Sequence, residues 1–399
     1  MHNTRKITDD LIYIGCSDRK LALFESAYPV PEGMSYNSYL LKDDKTVLFD
    51  TVDKHCARQF YENLEYALGG RTLDYVVIQH MEPDHCALMH DIIKAYPDAK
   101  IVCTPKTVEM VKQFFNVEIS PVIVKEGDKL NTGRHELQFF MAPMVHWPEV
   151  MVTYDITDKI LFSADAFGSF GAINGNLFDT ETKCKCTYFG EARRYYANIV
   201  GKYGLQVQML LKKAAGLDIQ MICPLHGLVI KNNIDKFIEK YNQWSSYIPE
   251  DNAVMIAYSS VYGGTENAVN ILASKLAEAG VKNIKMFDTS MTHPSYVLSE
   301  AFRCSHIVLA STTYNMEVFE SMDVFLRILA SHNLQNRKFV IIQNGSWAPA
   351  CGNKMREVAE KLKGSIILDD SLVIKSTLKE EQIEQVDNVV NTIVKSLEM

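Results

Sequence analysis

The sequence predicts two domains of different class. Residues 1–248 read as an α+β sandwich layered helix, sheet, sheet, helix, and residues 249–399 as an α/β doubly wound parallel sheet. Three observations carry this reading. The first 248 residues hold many short strand-like runs cut by Gly, Pro and Asp, with few helical stretches. Beyond residue 252 strands and helices alternate one for one. Between the two patterns, Trp244-Ser245-Ser246-Tyr247-Ile248-Pro249-Glu250-Asp251-Asn252 reads as a polar, proline-interrupted linker.

In the first domain, apolar runs bounded by turn residues predict strands at 36–41, 46–50, 75–79, 100–103, 121–124, 136–141, 151–154 and 159–162. Helical periodicity appears at 56–67, 86–95, 105–115, 189–214 and 231–245. Two successions of strands with interleaved helices suggest two sheets packed face to face and covered outside by helices. In the second domain, strands are predicted at 253–258, 284–287, 306–310, 339–343 and 365–368, separated by helices at 265–279, 317–332, 352–363 and 379–397.

Composition excludes several functions. With 47% hydrophobic and 23% charged residues the chain reads as globular, and no run is long and apolar enough for a membrane span. Met1-His2-Asn3-Thr4-Arg5-Lys6 leads into polar sequence, which predicts no secretory leader and a cytoplasmic protein. A net charge of −8 argues against nucleic acid as a partner. Nine cysteines spread along the chain suit reduced thiols better than a disulfide framework. Cys184-Lys185-Cys186 is the one close pair, and no C-x-x-C exists to build a tetrathiolate iron centre. Electrons for any redox chemistry must therefore arrive from elsewhere.

The densest chemistry lies in His80-Met81-Glu82-Pro83-Asp84-His85, directly after the apolar run Tyr75-Val76-Val77-Ile78. A chain leaving a strand end here turns His80, Glu82 and Asp84 toward one point with His85 alongside, and Pro83 stiffens the turn. Two imidazoles and two carboxylates exceed what one ion takes from so short a segment, which points to two metals. Three further candidates follow apolar runs: His146 in Met144-Val145-His146-Trp147-Pro148-Glu149, Asp165 in Phe162-Ser163-Ala164-Asp165, and His226 in Ile222-Cys223-Pro224-Leu225-His226. Each alone is an ordinary loop residue. Together they complete seven ligands, enough for two metals sharing one bridge.

The second domain carries its signal at strand ends. The first strand runs into Ser259-Ser260-Val261-Tyr262-Gly263-Gly264-Thr265 before a helix, the third into Ser311-Thr312-Thr313-Tyr314-Asn315, and the fourth into Asn344-Gly345-Ser346-Trp347. Backbone N–H groups, hydroxyls and a helix N-terminus cradle phosphate, and a flavodoxin-like sheet binds ligands outside the carboxyl ends of its strands. Neither G-x-x-x-x-G-K-[ST] nor G-x-G-x-x-G occurs, which disfavours nucleoside triphosphates and dinucleotides. One aromatic per loop, Tyr262, Tyr314 and Trp347, suits an isoalloxazine ring over a monophosphate, and FMN is the natural occupant.

The order H-x-E-x-D-H, then His146, Asp165 and His226, followed by a flavodoxin-like module, resembles the flavodiiron proteins over essentially the whole chain. The resemblance implies a metallo-β-lactamase-like first domain, a diiron centre and FMN. It implies that one iron takes His80, Glu82 and His146, that the other takes Asp84, His85 and His226, and that Asp165 bridges. Hydrolases of that fold carry H-x-H-x-D-H, and Glu82 stands where they have the second imidazole. A carboxylate there makes the ligand set harder and more anionic, which favours iron over zinc. By resemblance, reduced FMN passes electrons to the irons, which reduce O2 to water or NO to N2O. A rubredoxin-like donor, and a head-to-tail homodimer that can pair into a tetramer, belong to the same expectation. The chain departs from many family members over 15–26, where Glu25 occupies the place of a His near the substrate pocket; Glu25 is read either as a proton supplier or as a solvated residue. A cover over the metals is expected from 28–39. The competing reading is a binuclear-zinc hydrolase fused to a flavodoxin-like module, and a third is a fold retained without its metals.

Overall fold

The computed structural model describes residues 1–183, 185–368 and 371–398; Cys184, one of the close cysteine pair, lies outside the described residues. The chain forms two compact units, Met1–Tyr196 with Leu205–Asn242, and Ala197–Gly204 with Gln243–Met399.

The first unit is a two-sheet sandwich. One sheet has seven strands in the order Arg5–Lys6, Leu11–Tyr13, Tyr39–Lys42, Thr46–Phe49, Tyr75–Val77, Lys100–Cys103 and Pro121–Ile123, antiparallel up to Thr46–Phe49 and parallel beyond it. The other has five, Lys129–Asn131, Glu136–Met141, Met151–Asp155, Ile160–Phe162 and Met221–Cys223, with only the last pair parallel. Alternate residues of both sheets meet in one core that includes Val47, Phe49, Val77, Phe139, Ile160 and Phe162. There the Phe49 and Phe162 rings stack with centroids 4.0 Å apart. The parallel strands matter for function, because ligand-bearing loops gather beyond the carboxyl ends of parallel strands.

Three differences from the sequence reading have physical causes. The helix predicted over 189–214 is interrupted: Lys185–Tyr195 passes through a π turn, Tyr196–Val200, and a 3-10 turn, Gly201–Tyr203, before Gly204–Ala214. Gly204 sits so close to the chain that an added Cβ would lie 2.4 Å from the Ser245 carbonyl oxygen. Periodicity alone hides such a break. Second, 244–252 is not a free linker. Ser245 ends the helix Ile234–Ser245, and Asp251 opens the strand Asp251–Tyr258. Trp244 is buried and its Nε1–H donates to Glu250 Oε1 at 2.6 Å, while the Tyr247 hydroxyl donates to the Gly201 carbonyl at 2.9 Å. Aromatic side chains with one polar atom satisfy both demands of burial, which residue-type counting misses. Third, the first sheet also contains Leu11–Tyr13, and the predicted run over 36–41 splits into Tyr39–Lys42, in that sheet, and Met34–Tyr36, which pairs instead with Cys16–Asp18.

In the second unit the parallel strands are ordered Ile284–Asp288, Asp251–Tyr258, Cys304–Tyr314, Lys338–Asn344 and Ile366–Ile367, with Leu372–Ile374 continuing the fifth position. That second-first-third-fourth-fifth order is the flavodoxin-like one, with its crevice where the order reverses. The helix Pro294–Arg303 and the strand Leu372–Ile374 were not read from the sequence. The third strand runs to Tyr314, so Ser311, Thr312 and Thr313 are strand residues rather than loop.

Arg337 holds the start of this unit without a carboxylate. It is buried, and its guanidinium donates to the carbonyls of Ala301 at 2.8 Å, Phe302 at 2.6 Å and Tyr247 at 2.7 Å. Burial draws its pKa down to about 9. Three buried carbonyls lose their donor in Arg337→Ala, and at about 1–3 kcal/mol for each unsatisfied group the unit is expected to lose roughly 3 kcal/mol or more, read as an earlier urea midpoint.

Candidate metal and flavin sites

Three of the metal-site residues sit just past a strand. His80 follows Tyr75–Val77, Asp165 follows Ile160–Phe162, and His226 follows Met221–Cys223. Glu82 is the N-cap of the short helix Pro83–Cys86, which carries Asp84 and His85 one turn further on. His146 comes from the loop between Glu136–Met141 and Met151–Asp155. All seven predicted ligands meet, in two groups: His80, Glu82, His146 and Asp165, and then Asp84, His85 and His226.

The groups share Asp165. Its Oδ2 lies 3.4 Å from His80 Nε2 and 3.2 Å from His146 Nε2, while its Oδ1 lies 3.1 Å from His85 Nε2 and 3.6 Å from His226 Nε2. Glu82 Oε2 closes the first group at 3.0 Å from His146 Nε2 and 3.2 Å from His80 Nε2. Asp84 Oδ2 closes the second at 3.3 Å from His85 Nε2 and 3.2 Å from His226 Nε2. Ligand atoms about 2.1 Å from a common cation lie about 3.0–3.4 Å from one another, so these edges are those of two coordination polyhedra.

Hydrogen bonds behind the ligands fix which nitrogen faces inward. His80 Nδ1–H donates to Glu149 Oε1 at 2.8 Å and His226 Nδ1–H donates to the Ser35 carbonyl at 2.7 Å, which turns each Nε2 toward the carboxylates. Asp84 Oδ1, Asp84 Oδ2 and Asp165 Oδ1 are buried without a hydrogen-bond donor. Lone pairs facing lone pairs in a buried pocket require a cation. Charge agrees: burial opposes protonation of His80 and His146, yet Asp165 and Glu82 raise His80 well above the ordinary imidazole range and His146 to about 9. Asp165 is held well below the usual carboxylate range, against its burial, by His85 and His80. The residues fit two metal ions.

Sequence reasoning missed the support. Asp50, buried at the end of Thr46–Phe49, accepts from Gln79 N at 2.8 Å and His80 N at 3.3 Å, and Thr51 N–H donates to the His85 carbonyl at 2.7 Å. Asp50 ends an apolar run just as Asp165 does, the signal that could have found it. Glu149, three residues past His146, also accepts from Met81 N at 2.8 Å. Glu149→Ala frees the His80 ring to rotate and is expected to weaken metal binding at that group about 10–100-fold, read by metal titration of the variant against wild type. Glu25 stands exposed at φ 52° on the turn between Leu23–Phe24 and Tyr28–Pro29. The same hairpin brings Phe24 edge-on to His226 at 5.4 Å, and Tyr36 meets that imidazole at 5.7 Å, so part of the cover precedes 28–39.

In the second unit the predicted loops converge beyond the strand ends. Gly263 takes φ 84° at the N-cap of the helix Gly264–Glu278, and a Cβ on Gly264 would lie 2.1 Å from the Ser376 carbonyl oxygen. Asn344 Nδ2 donates to Thr265 Oγ1 at 3.2 Å and to the Ser376 carbonyl at 3.0 Å, and Thr265 and Thr312 hydroxyls bond at 2.9 Å. Ser259 bonds Ser311 at 2.9 Å, Ser260 Oγ accepts from Glu266 N at 3.3 Å, and Thr313 Oγ1 accepts from Ala350 N at 2.9 Å. These side chains shape the loops. Asn315 takes φ 50° in the turn after Tyr314, and Gly345 and Ser346 lead to Trp347. Tyr262 is 98% and Trp347 85% exposed, with Val261 and Tyr314 also exposed, a concentration of aromatic surface that suits a flat apolar ring. The Ser376 loop, missed from the sequence, packs against the same strand-end loops.

Known proteins resemble this chain along most of its length. Residues 34–227 match the family model described as ODP family beta lactamase. An uncharacterized protein of Methanocaldococcus jannaschii is 30% identical over 381 residues, spanning 95% of each chain. The anaerobic nitric oxide reductase flavorubredoxin of Klebsiella pneumoniae is 28% identical, over 86% of this chain and 72% of that protein. Among solved structures, the rubredoxin oxygen:oxidoreductase of Desulfovibrio gigas superimposes with a TM-score of 0.93 at 26% identity over 99% of each chain. The flavodiiron protein of Giardia intestinalis gives 0.93 at 23% identity over 100% of this chain and 98% of that one, a likeness of fold. With both units matched along their length, the chain belongs to the flavodiiron protein family.

Proposed function

We propose that the protein is a flavin-linked diiron oxidoreductase that reduces O2 to water, NO to N2O, or both. The observation that carries the reading is the Asp165 carboxylate, one oxygen facing each ligand group, in a set of four imidazoles and three carboxylates. His80, Glu82 and His146 would hold one iron and Asp84, His85 and His226 the other, with Asp165 facing both groups. When bound, the irons supply sites for a diatomic ligand and accept electrons, and FMN relays those electrons from an external donor.

The chain's own residues do the rest. Glu149 and Ser35 hold imidazoles in the metal-binding tautomer, and Phe24 and Tyr36 give the His226 side an apolar wall that favours small neutral ligands over water. The 259–265 loop and the N-terminus of Gly264–Glu278 are assigned to the FMN phosphate. Tyr262, Tyr314 and Trp347 are assigned to the isoalloxazine ring. A rubredoxin-like protein is the proposed donor and a head-to-tail homodimer the proposed working assembly. No described helix is long and apolar enough to cross a membrane.

The test is consumption of O2 or NO, each offered alone and anaerobically prepared, by protein loaded with iron and FMN and supplied with reduced rubredoxin. Turnover with at least one of the two, with water or N2O as product, is expected. Failure with both, together with hydrolysis of a thioester or phosphodiester by the zinc-loaded protein, would return the hydrolase reading, against which Glu82 argues.

A further inference from the structure

We propose that the cavity beside the strand Cys16–Asp18 is an effector site for a small organic dianion, a phosphate monoester or a dicarboxylate, whose occupancy reaches the metal groups through His226. The cavity measures about 1020 Å3, and none of the seven metal ligands lines it. Arg5, Arg19, Lys20 and Arg58 line it against the carboxylates of Asp18 and Glu62, a local cationic excess in a chain whose net charge is −8.

The donors left open decide the ligand class. Arg5 is committed to Glu181, with Nη2 2.7 Å from Oε1. Asp18 Oδ1 already accepts from Lys20 N at 2.7 Å and from Leu21 N at 3.1 Å. Arg58 gives Nε to Glu62 Oε1 at 3.3 Å, and Arg19 gives Nη2 to the Ile173 carbonyl and to Asn174 Oδ1, both neutral acceptors. Among the described residues, the other N–H groups of these two guanidinium forks and the Lys20 ammonium bond no acceptor, and neither Arg19 nor Lys20 pairs with a carboxylate. Two open forks and an ammonium match the paired oxygens of a phosphate or carboxylate group. Tyr13, Leu21 and Leu177 line the same space and give the organic remainder an apolar wall.

The ladder behind the cavity leads to the metals. Ser17 lines the cavity and pairs with Ser35, whose carbonyl accepts from His226 Nδ1 at 2.7 Å. Cys16 lines it too and pairs with Tyr36, whose ring meets the same imidazole at 5.7 Å. Gly33 crosses Asp18 so closely that a Cβ would lie 2.3 Å from the Asp18 carbonyl oxygen, which leaves the ladder no slack at that end. A dianion held by Arg19 and Lys20 therefore pulls on Cys16–Asp18, and through it on the acceptor that orients His226. This coupling rests on the assignment of His226 as a metal ligand, and by linkage the dianion and the metal change one another's affinity by the same factor.

The test is equilibrium dialysis of the iron- and FMN-loaded protein, with FMN filling the phosphate cradle of the second unit, against AMP and separately against succinate at low ionic strength. Binding of at least one of them below about 1 mM is expected, weakened at least about tenfold in the Arg19→Gln, Lys20→Gln double variant and weakened also by added salt. The tighter of the two names the class, AMP a phosphate monoester and succinate a dicarboxylate. Bound dianion is further expected to change the rate at which a chelator strips the iron by at least about twofold in the wild-type protein, with no change in the double variant. Binding of neither ligand below about 1 mM, or equal binding by the double variant, would overturn the site. Binding that leaves the stripping rate unchanged would overturn its coupling to His226. Neither readout uses turnover of O2 or NO, so both stand apart from the fate of the reductase reading.

Discussion

Asp165→Ala is expected to cost the protein at least one of its two irons and to lower O2 or NO turnover by more than about a hundredfold, beyond what loss of a supporting residue costs. Both Asp165 oxygens face imidazole nitrogens, Oδ2 toward His80 and His146, Oδ1 toward His85 and His226. Removing them would take one ligand from each metal and, among the described residues of the two groups, the carboxylate that faces both. What remains is a three-residue set on either side, His80, Glu82 and His146, and Asp84, His85 and His226. Iron analysis beside the turnover assay separates the causes. Two irons per chain and full activity in the variant would remove Asp165 from the bridge.

Gly264→Ala is expected to have the largest effect on the flavin. A Cβ there would meet the Ser376 carbonyl oxygen at 2.1 Å, a backbone atom that cannot rotate away, so the 259–265 loop or the Ser376 loop must move. Asn344 ties both loops together, donating to Thr265 and Ser376 and accepting from Ser376 N at 3.0 Å, so the shift spreads through the phosphate cradle. FMN affinity is expected to fall at least about tenfold, or ~1.4 kcal/mol, with iron content unchanged. Trp347→Ala, on an exposed side chain, loses only stacking, about 0.5–1.5 kcal/mol. Flavin fluorescence titration of the two variants ranks them; a Gly264→Ala protein that binds FMN as wild type does would move the phosphate elsewhere.

Much of the site was legible because metal ligands cluster by residue type. Four of seven lie in one hexapeptide, and Asp165 and His226 each follow an apolar run, a pattern that strand geometry turns into convergence. Glu149 and Asp50 were harder to read because one buried carboxylate in a loop resembles any turn acid until its partners, His80 Nδ1 and Gln79 N, are in view. The doubly wound pattern was legible because each strand is a buried apolar run, Val254 to Ala257 or Phe339 to Ile342. The strand Leu372–Ile374 escaped because three residues give no periodicity, and the helix Pro294–Arg303 because its buried face includes Ser295 and Ser299 beside Val297 and Leu298. Proline and polar residues over 244–252 suggested a linker where Trp244, Tyr247 and Arg337 build a packed start to the second unit.

The central claim is that the paired groups around Asp165 hold redox-active iron that draws electrons from FMN. The most direct measurement is stopped-flow reoxidation of the reduced flavin by NO or by O2, each offered separately to anaerobically prepared protein loaded with FMN and either iron or zinc. The account predicts that at least one of the two reoxidises the flavin much faster in the iron-loaded protein than in the zinc-loaded protein. Equal rates with the two metals would contradict it, because the electrons would then be leaving the flavin without passing through the site that Asp165 bridges.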